Sequence, residues 1–316
     1  MQEYAIGVDI GGTNIRAALI SPEGEVVSKV KALTGSSPLT TLRALLAPLC
    51  CTDVTGIGVA VAGIIDRDKG VVLRSPNIPE LNGVALRDEV RSWFNLPVLI
   101  ENDANVAALG EAVRGAGSGF RSFVLLTLGT GVGGGVFMDG RLLSAAAEIG
   151  HISINAEGQA CACGNVGCLE SYASATAIIG NAISEMEKGT ATILRELYQG
   201  NFYKVTAEDI YNAALDGDSL SRTILREAGR SLGIGIANII NIFSPEAVIL
   251  TGGLIGAWNI YIDSAIREAS KRALKELYAR TEIIPSALGD DAGIIGAACL
   301  VSEQISKKSQ ATQIAL

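Results

Sequence analysis

Residues 4–20, YAIGVDIGGTNIRAALI, and residues 122–138, SFVLLTLGTGVGGGVFM, decide the fold between them. Each reads as an apolar strand, a glycine-rich turn and a second strand: 4–10 into 15–20, and 122–128 into 136–138. Each then turns into a third strand, at Ser21-Pro22-Glu23-Gly24 and at Asp139-Gly140. The same unit opens both halves of the chain, an internal repeat carried by pattern rather than by identity.

Outward from the first copy, a helix is expected over 39–50, a strand over 56–65, a helix over 86–94 and a strand over 97–100. That last strand enters Glu101-Asn102-Asp103, and a helix over 104–114 follows with Asp103 as its N-cap. Gly115-Ala116-Gly117-Ser118-Gly119 has the composition of a linker. Outward from the second copy the chain is mostly helical. The exceptions are strands at 247–250, which runs into Thr251-Gly252-Gly253, and at 282–284. Residues 220–242 have helical periodicity, with Gly229, Gly233, Gly235 and Ala237 small enough for close packing. A last helix over about 292–302 is expected to cross back to the first half. The expectation is an α/β fold of two related domains around a cleft. Residues 1–117 with about 292–316 form the first domain, and residues 118–291 form the second with an inserted metal-binding loop.

A chain of 316 residues is long enough for two cores, and its 48% hydrophobic and 18% charged residues argue against disorder. The net charge of −8 comes with scattered Lys and Arg, so no basic face for nucleic acid is formed. No apolar run is long enough to cross a bilayer, and Met1-Gln2-Glu3-Tyr4 lacks the basic start of a signal peptide. The expectation is a cytoplasmic protein whose first strand leaves no room for an upstream DNA-binding module. Six cysteines are too few for a disulfide framework here. Cys50, Cys51 and Cys299 read as small buried hydrophobes.

Asp9-Ile10-Gly11-Gly12-Thr13-Asn14 lies at a strand end. Its paired glycines would let the backbone approach an anion, with the Thr13 hydroxyl as a further donor and Asp9 able to hold Mg²⁺ directly or through water. Gly129-Thr130-Gly131-Val132-Gly133-Gly134-Gly135 repeats the design. A tight hairpin would explain either loop alone; two at equivalent places point to a triphosphate held from both sides. Neither loop is a P-loop or a dinucleotide fingerprint, because no Gly-Lys-Ser/Thr follows and each leads to a strand. Gly252 and Gly253 could line a base or ribose, or could simply turn a strand into a helix.

Glu101-Asn102-Asp103 ends a strand. Beyond capping, Asp103 suits the proton acceptor of phosphoryl transfer to a hydroxyl, with Asn102 offering a donor and an acceptor to neighbouring hydroxyls. His151, the single histidine, precedes Cys161, Cys163 and Cys168 in the spacing H-x9-C-x-C-x4-C. One imidazole and three thiolates suit a closed tetrahedral structural zinc, and Gly158, Gly164 and Gly167 allow the turns. A redox dithiol is the weaker alternative, since C-x-C lacks the usual spacer. Glu148 and Glu170 bracket the cluster; they are either surface acids or, if zinc fixes the loop, rigid acceptors for sugar hydroxyls. His151 could serve both zinc and a hydroxyl.

Together these residues resemble the ROK family of repressors, open reading frames and sugar kinases over nearly the whole chain. The most specific match is Glu148-Ile149-Gly150-His151 with Cys161-Ala162-Cys163-Gly164-Asn165-Val166-Gly167-Cys168-Leu169-Glu170, and within the family the pattern sits nearest the glucose-phosphorylating members. The resemblance implies an actin-like (ribonuclease H-like) ATPase fold and ATP with Mg²⁺ at Asp9, Gly11, Gly12, Thr13, Asn14, Gly129, Thr130, Gly131, Gly133, Gly252 and Gly253. It implies Asp103 as catalytic base, and Gly63, Asn77, Asn102, Asp103, Glu148, His151 and Glu170 as sugar ligands. It also implies assembly as a homodimer or homotetramer. Two positions depart from many relatives: Ala62 stands where they have Pro, and Asn14 where they have Lys. The activity expected is transfer of the ATP γ-phosphate to the 6-hydroxyl of a hexose, glucose first. The alternatives are N-acetylmannosamine, N-acetylglucosamine or fructose as acceptor, a sugar-sensing regulator without catalysis, and a zinc-dependent interaction module.

Overall fold

The computed structural model describes residues 3–50, 53–198 and 200–302. Cys51 and the end of the chain after residue 302 lie outside the described residues. Strands β1 (Tyr4–Ile10), β2 (Asn14–Ile20), β3 (Val26–Leu33), β4 (Val54–Val61) and, after β5 (Ile64–Asp66) and β6 (Val71–Arg74), β7 (Val98–Asn102) build the first half. They form a five-stranded sheet in the order β3-β2-β1-β4-β7. Residues of β1 pair antiparallel with β2 and parallel with β4, which pairs parallel with β7. Strands β8 (Phe123–Leu128), β9 (Val132–Met138), β10 (Arg141–Leu142), β11 (Ala247–Thr251) and β12 (Glu282–Pro285) follow in the second half. Their sheet has the order β10-β9-β8-β11-β12, the same topology in later sequence. The internal repeat is therefore structural: each glycine loop joins the corresponding hairpin.

The α-helices among the described residues include α1 (Pro38–Leu46), α2 (Leu86–Phe94), α3 (Asp103–Arg114), α4 (Glu170–Ala173), α5 (Ala175–Glu187), α6 (Leu194–Leu197), α7 (Ala207–Leu215), α8 (Ser219–Phe243), α9 (Asp263–Arg272) and α10 (Lys275–Tyr278). Residues 292–302 are also helical. The chain divides into two compact units. One takes the residues up to Arg121, Gly135–Ala146 and those from Ser286 on; the other takes Ser122–Gly134 and Ala147–Pro285.

Three expectations are corrected. The strand expected over 56–65 is two strands, because the chain turns at Ala62-Gly63. Gly63 has φ +143°, and a Cβ there would strike the Arg74 carbonyl, so the apolar run cannot continue straight. The second glycine loop is shorter than the glycine run, since Val132 already starts β9. The cap of α3 is Asn102, not Asp103: the Asn102 side chain accepts from the Ala104 and Asn105 N–H groups. Cys299 is buried and Cys50 half-buried against the first core.

In the first unit, Ile6, Val8, Ile57 and Val59 are buried with Leu42 and Leu46 of α1 and Leu86 and Val90 of α2. Backbone meets backbone on the side where residues 292–302 lie. A Cβ on Gly7 would strike the Ile294 carbonyl, one on Gly58 the Ala297 carbonyl, and one on Gly296 the Val106 carbonyl. Gly58→Ala is therefore expected to destabilise this unit by about 3 kcal/mol, the upper range for overpacking, because a carbonyl cannot swing aside as a side chain can. A denaturation midpoint within experimental error of wild type would contradict that packing.

In the second unit, α8 uses its small residues as sequence periodicity implies. Gly229 receives the Tyr261 backbone, Gly233 the Ala265 backbone of α9, and Gly235 the Leu169 side chain. Leu169 thereby docks the cysteine loop and α4 on the longest helix of the unit.

Candidate active site and metal centre

The first unit carries the candidate base. β7 delivers Glu101 and Asn102, and Asp103 is the first residue of α3. Asn102 donates from Nδ2 to the Gly63 carbonyl at 3.0 Å, and its Oδ1 accepts from Ala104 N at 3.0 Å and Asn105 N at 3.2 Å. Its amide thus pins the Gly63 turn to the start of α3, where sequence analysis offered both its atoms to substrate. The Asp103 carboxylate accepts from Ala104 N at 3.0 Å, which orients it at the helix end.

Glu101 was not singled out from sequence, yet it anchors this junction. It is 5% exposed. Arg67 approaches it from Nε at 2.5 Å and from Nη2 at 2.9 Å. Asn102 N and Asn105 Nδ2 also donate to it, at 2.8 and 3.1 Å. Arg67 reaches further, to the Ala145 carbonyl at 2.8 Å and Ser144 Oγ at 2.7 Å. A cavity of about 320 Å³, lined by Gly63, Asp66, Arg67, Glu101, Asn102 and Ala145 among others, opens here. That is the lower range for small-molecule sites. Arg67→Met would strand a buried carboxylate and is expected to cost about 3 kcal/mol of stability, the low end for a broken buried pair because the Arg67 side chain is 27% exposed. Glu101→Gln in the Arg67→Met background should recover part of the loss. Equal thermal unfolding of wild type and Arg67→Met would refute this assignment.

The first glycine loop is a tight hairpin, closed by Gly11 N to the Asn14 carbonyl at 3.0 Å and tied by Thr34 Oγ1 to the Gly11 carbonyl at 2.6 Å. Gly12 lies against Asn77, where a Cβ would come within 3.1 Å of the Asn77 Cβ and carbonyl oxygen. Thr13 is exposed, and Asn14 begins β2. Asp9 is paired across the hairpin with Arg16, whose Nη2 and Nε lie 2.5 and 3.2 Å from Oδ2. Any cation contact made by Asp9 therefore competes with this ion pair. Arg16 escaped sequence analysis because strand register, not spacing, puts it opposite Asp9.

The second unit carries the other loop. Gly129 N donates to the Gly131 carbonyl at 3.0 Å, Val132 N to Glu170 Oε2 at 2.8 Å, and Gly133 N to Thr127 Oγ1 at 3.1 Å. Several amides that sequence analysis offers to phosphate thus also shape the loop. Gly252 has φ +99° and lies so close to Leu128 that a Cβ would strike its carbonyl, which sets Gly252-Gly253 beside the start of this loop. Thr130 is exposed near that start.

His151, Cys161, Cys163 and Cys168 come together, with one ligand atom of each lying within 4.8 Å of the others. Cys161 Sγ is 3.7 Å from His151 Nδ1, and Cys163 Sγ is 3.7 Å from Cys168 Sγ. Gly164 and Gly167 have φ +97° and +71°, and a Cβ on Gly167 would strike the Asn155 carbonyl. Burial raises the Cys161 thiol, but hydrogen bonds from the Cys163 backbone and side chain, with Ser171 and Cys168, outweigh it and bring it to about 7. Burial pushes Cys168 up to about 12, helped by hydrogen bonding and charge from Cys163 and Cys161. One nitrogen and three sulfurs at this spacing fit a four-coordinate metal ion.

Glu148 stands at the head of the short helical turn Ile149–His151, immediately after Ala147 at φ +49°, a conformation that costs a non-glycine residue free energy. Burial raises its pKa; the nearby His151 opposes that and the Glu170 carboxylate adds to it. The second unit therefore gathers Glu148, His151 and Glu170 around the metal loop, and the first gathers Gly63, Asn102 and Asp103 at one end of β7. Asn77 lies with Gly12.

The sequence profile of the ROK family matches residues 5–304. A glucokinase of Halalkalibacterium halodurans is 36% identical over 317 residues, covering 95% of this chain and 96% of the relative. The crystal structure of a ROK family glucokinase from Streptomyces griseus, in complex with glucose and AMPPNP, superposes with a TM-score of 0.83 at 34% identity, covering 95% and 99% of the two chains. A ROK family transcriptional regulator, a homolog of the E. coli MLC protein, gives a TM-score of 0.84 at 29% identity, covering 95% of this chain and 78% of the regulator.

Proposed function

This chain belongs to the ROK family, and from that premise we propose that it transfers the γ-phosphoryl group of ATP to the 6-hydroxyl of a hexose, glucose first. It has the actin-like ATPase fold of the family's sugar kinases. The observation that carries the proposal is the likeness, over almost the full length of both chains, to a glucokinase holding glucose and an ATP analogue.

Phosphoryl transfer asks a protein chiefly for positioning and charge. Asp103, oriented at the start of α3 by the Ala104 amide, takes the proton of the attacking hydroxyl. Gly63, Asn77 and Asn102 in one unit and Glu148, His151 and Glu170 in the other recognise sugar hydroxyls. Asp9, Gly11, Gly12, Thr13, Asn14, Gly129, Thr130, Gly131, Gly133, Gly252 and Gly253 serve ATP. Asp9, paired here with Arg16, would be the protein partner of an ATP-bound Mg²⁺, which would supply charge to offset the phosphates. The donor set of His151, Cys161, Cys163 and Cys168 suits a structural Zn²⁺ with no position left for chemistry. No helix among the described residues is long and apolar enough to cross a membrane. The supply of ATP and the reduced thiols suit the cytoplasm, and the assembly proposed is a homodimer or homotetramer.

The test is chemical. With zinc bound and Mg²⁺ present, glucose should drive ADP release and 6-deoxyglucose should drive none. Equal release with both would remove the 6-hydroxyl as acceptor. The likeness to a regulator favours one second reading, a sugar sensor without turnover. Glucose binding with no ADP release above background would support that sensor instead.

A further inference from the structure

Glu170 does more than end the cysteine loop. Its Oε2 accepts the amide of Val132 at 2.8 Å, 38 residues earlier in the chain, where the glycine loop enters β9. A Cβ on Gly131 would strike that same oxygen, and its three nearest atoms would all belong to Glu170. Two more bonds run between the same segments: Ala175 N to the Gly129 carbonyl at 2.8 Å, and Thr176 Oγ1 to the Thr130 carbonyl at 2.7 Å. Behind them, the fully buried Tyr261 hydroxyl donates to the Ala173 carbonyl at 2.6 Å. Ser174 caps α5 by accepting from Ala177 N at 3.1 Å. Residues 129–132 and 170–176 are thus bonded into one body, with a carboxylate at its centre.

We infer that Glu170 is a positioning residue for the nucleotide loop, so that sugar and nucleotide bind with linked affinities through the Glu170–Val132 contact. The inference rests on the sugar-kinase proposal, which makes Glu170 a sugar acceptor and Gly129–Gly133 a nucleotide loop. Oε2 holds the Val132 amide while Oε1 is left to face a sugar hydroxyl, so both ligands act on the orientation and charge of one carboxylate. Linkage is reciprocal: whatever factor sugar applies to nucleotide affinity, nucleotide applies to sugar affinity.

The decisive variant is Gly131→Ala. Gly131 is not among the residues at positive φ, so alanine fits the backbone and its methyl group meets Glu170. Glucose binding is measured by calorimetry on the full zinc-loaded chain with no nucleotide present. Gly131→Ala should raise the glucose Kd about tenfold, although the residue lies in the nucleotide loop. The second variant, Glu170→Gln, keeps the shape and removes the charge. It should weaken AMPPNP binding without sugar several-fold and bring the glucose-to-AMPPNP coupling factor close to one. An unchanged glucose Kd in Gly131→Ala with weakened AMPPNP binding overturns the inference, as does a wild-type coupling factor in Glu170→Gln. A wild-type chain that binds AMPPNP but no hexose overturns the sugar-kinase proposal instead, and the inference falls with it.

Discussion

Asp103→Asn is expected to lower kcat by about 10³-fold, equivalent to about 4 kcal/mol, while glucose Kd stays within about twofold of wild type. The substitution keeps shape and still offers an amide oxygen to Ala104 N, the contact that orients Asp103. The cap of α3 is Asn102, so the helix keeps its cap and loses only a first-turn charge, worth about 0.3–1 kcal/mol. The capacity to accept a proton disappears with the charge. Because the interaction is made in the transition state, kcat and kcat/KM should fall together. Retention of kcat within tenfold would remove Asp103 from its role. A parallel fall in thermal stability would assign it a structural one.

Metal removal is expected to have the second large effect. Cys168 is fully buried, and its sulfur lies 3.5 Å from Asn165 Nδ2 and 3.4 Å from the His151 carbonyl, so it sits at the heart of the loop. The segment is otherwise ordered by hydrogen bonds and turns rather than by regular structure: two isolated bridges, Ser153 with Cys168 and Ala160 with Val166, and side-chain bonds such as Ser153 Oγ to the Val166 carbonyl and Gln159 N to the Tyr172 hydroxyl. Metal binding to such a loop supplies folding free energy directly, of the order of several kcal/mol. Without the cation, three thiol sulfurs and an imidazole nitrogen would crowd within 4.8 Å of one another with no ion to bind them together. A purified chain should contain about one zinc per molecule. Chelation, or Cys168→Ser, should release it, lower the unfolding temperature and raise the KM for glucose more than that for ATP. The asymmetry follows because Glu148 and Glu170 flank the ligands, whereas only one of the two glycine loops, the second, lies in this unit and is reached through Glu170. Unchanged KM and unfolding temperature after complete zinc loss would contradict a structural role.

Much of this was legible in the sequence for identifiable reasons. The glycine loops announce themselves because strand–turn–strand needs residues without side chains at the turn, and the repeat doubles the signal. The metal cluster is legible because ligand chemistry restricts both residue type and spacing. Asn and Asp cap equally well by type, so sequence alone does not choose between Asn102 and Asp103 for α3; the backbone at Asn102, φ −62° and ψ 142°, decides. The break at Gly63 was hidden in an apolar run, since the cause is the Arg74 backbone passing close by. Arg67 sits in Asp66-Arg67-Asp68-Lys69, which reads as a solvated turn, and its partner Glu101 is 34 residues away. By type and spacing Glu170 is either a surface acid or, as the family resemblance implies, a sugar acceptor; its bond to Val132 depends on tertiary contact alone.

Acceptor identity is the central claim and the finest distinction, because epimers and N-acetyl sugars differ by one or two hydrogen bonds, about 1–3 kcal/mol each when a buried partner is left unpaired. The direct measurement is kcat/KM by coupled ADP release, on the zinc-loaded chain with ATP and Mg²⁺, across glucose, fructose, N-acetylglucosamine and N-acetylmannosamine. The account predicts the highest value for glucose, by at least about tenfold over each of the others. A higher value for N-acetylmannosamine, N-acetylglucosamine or fructose would contradict it.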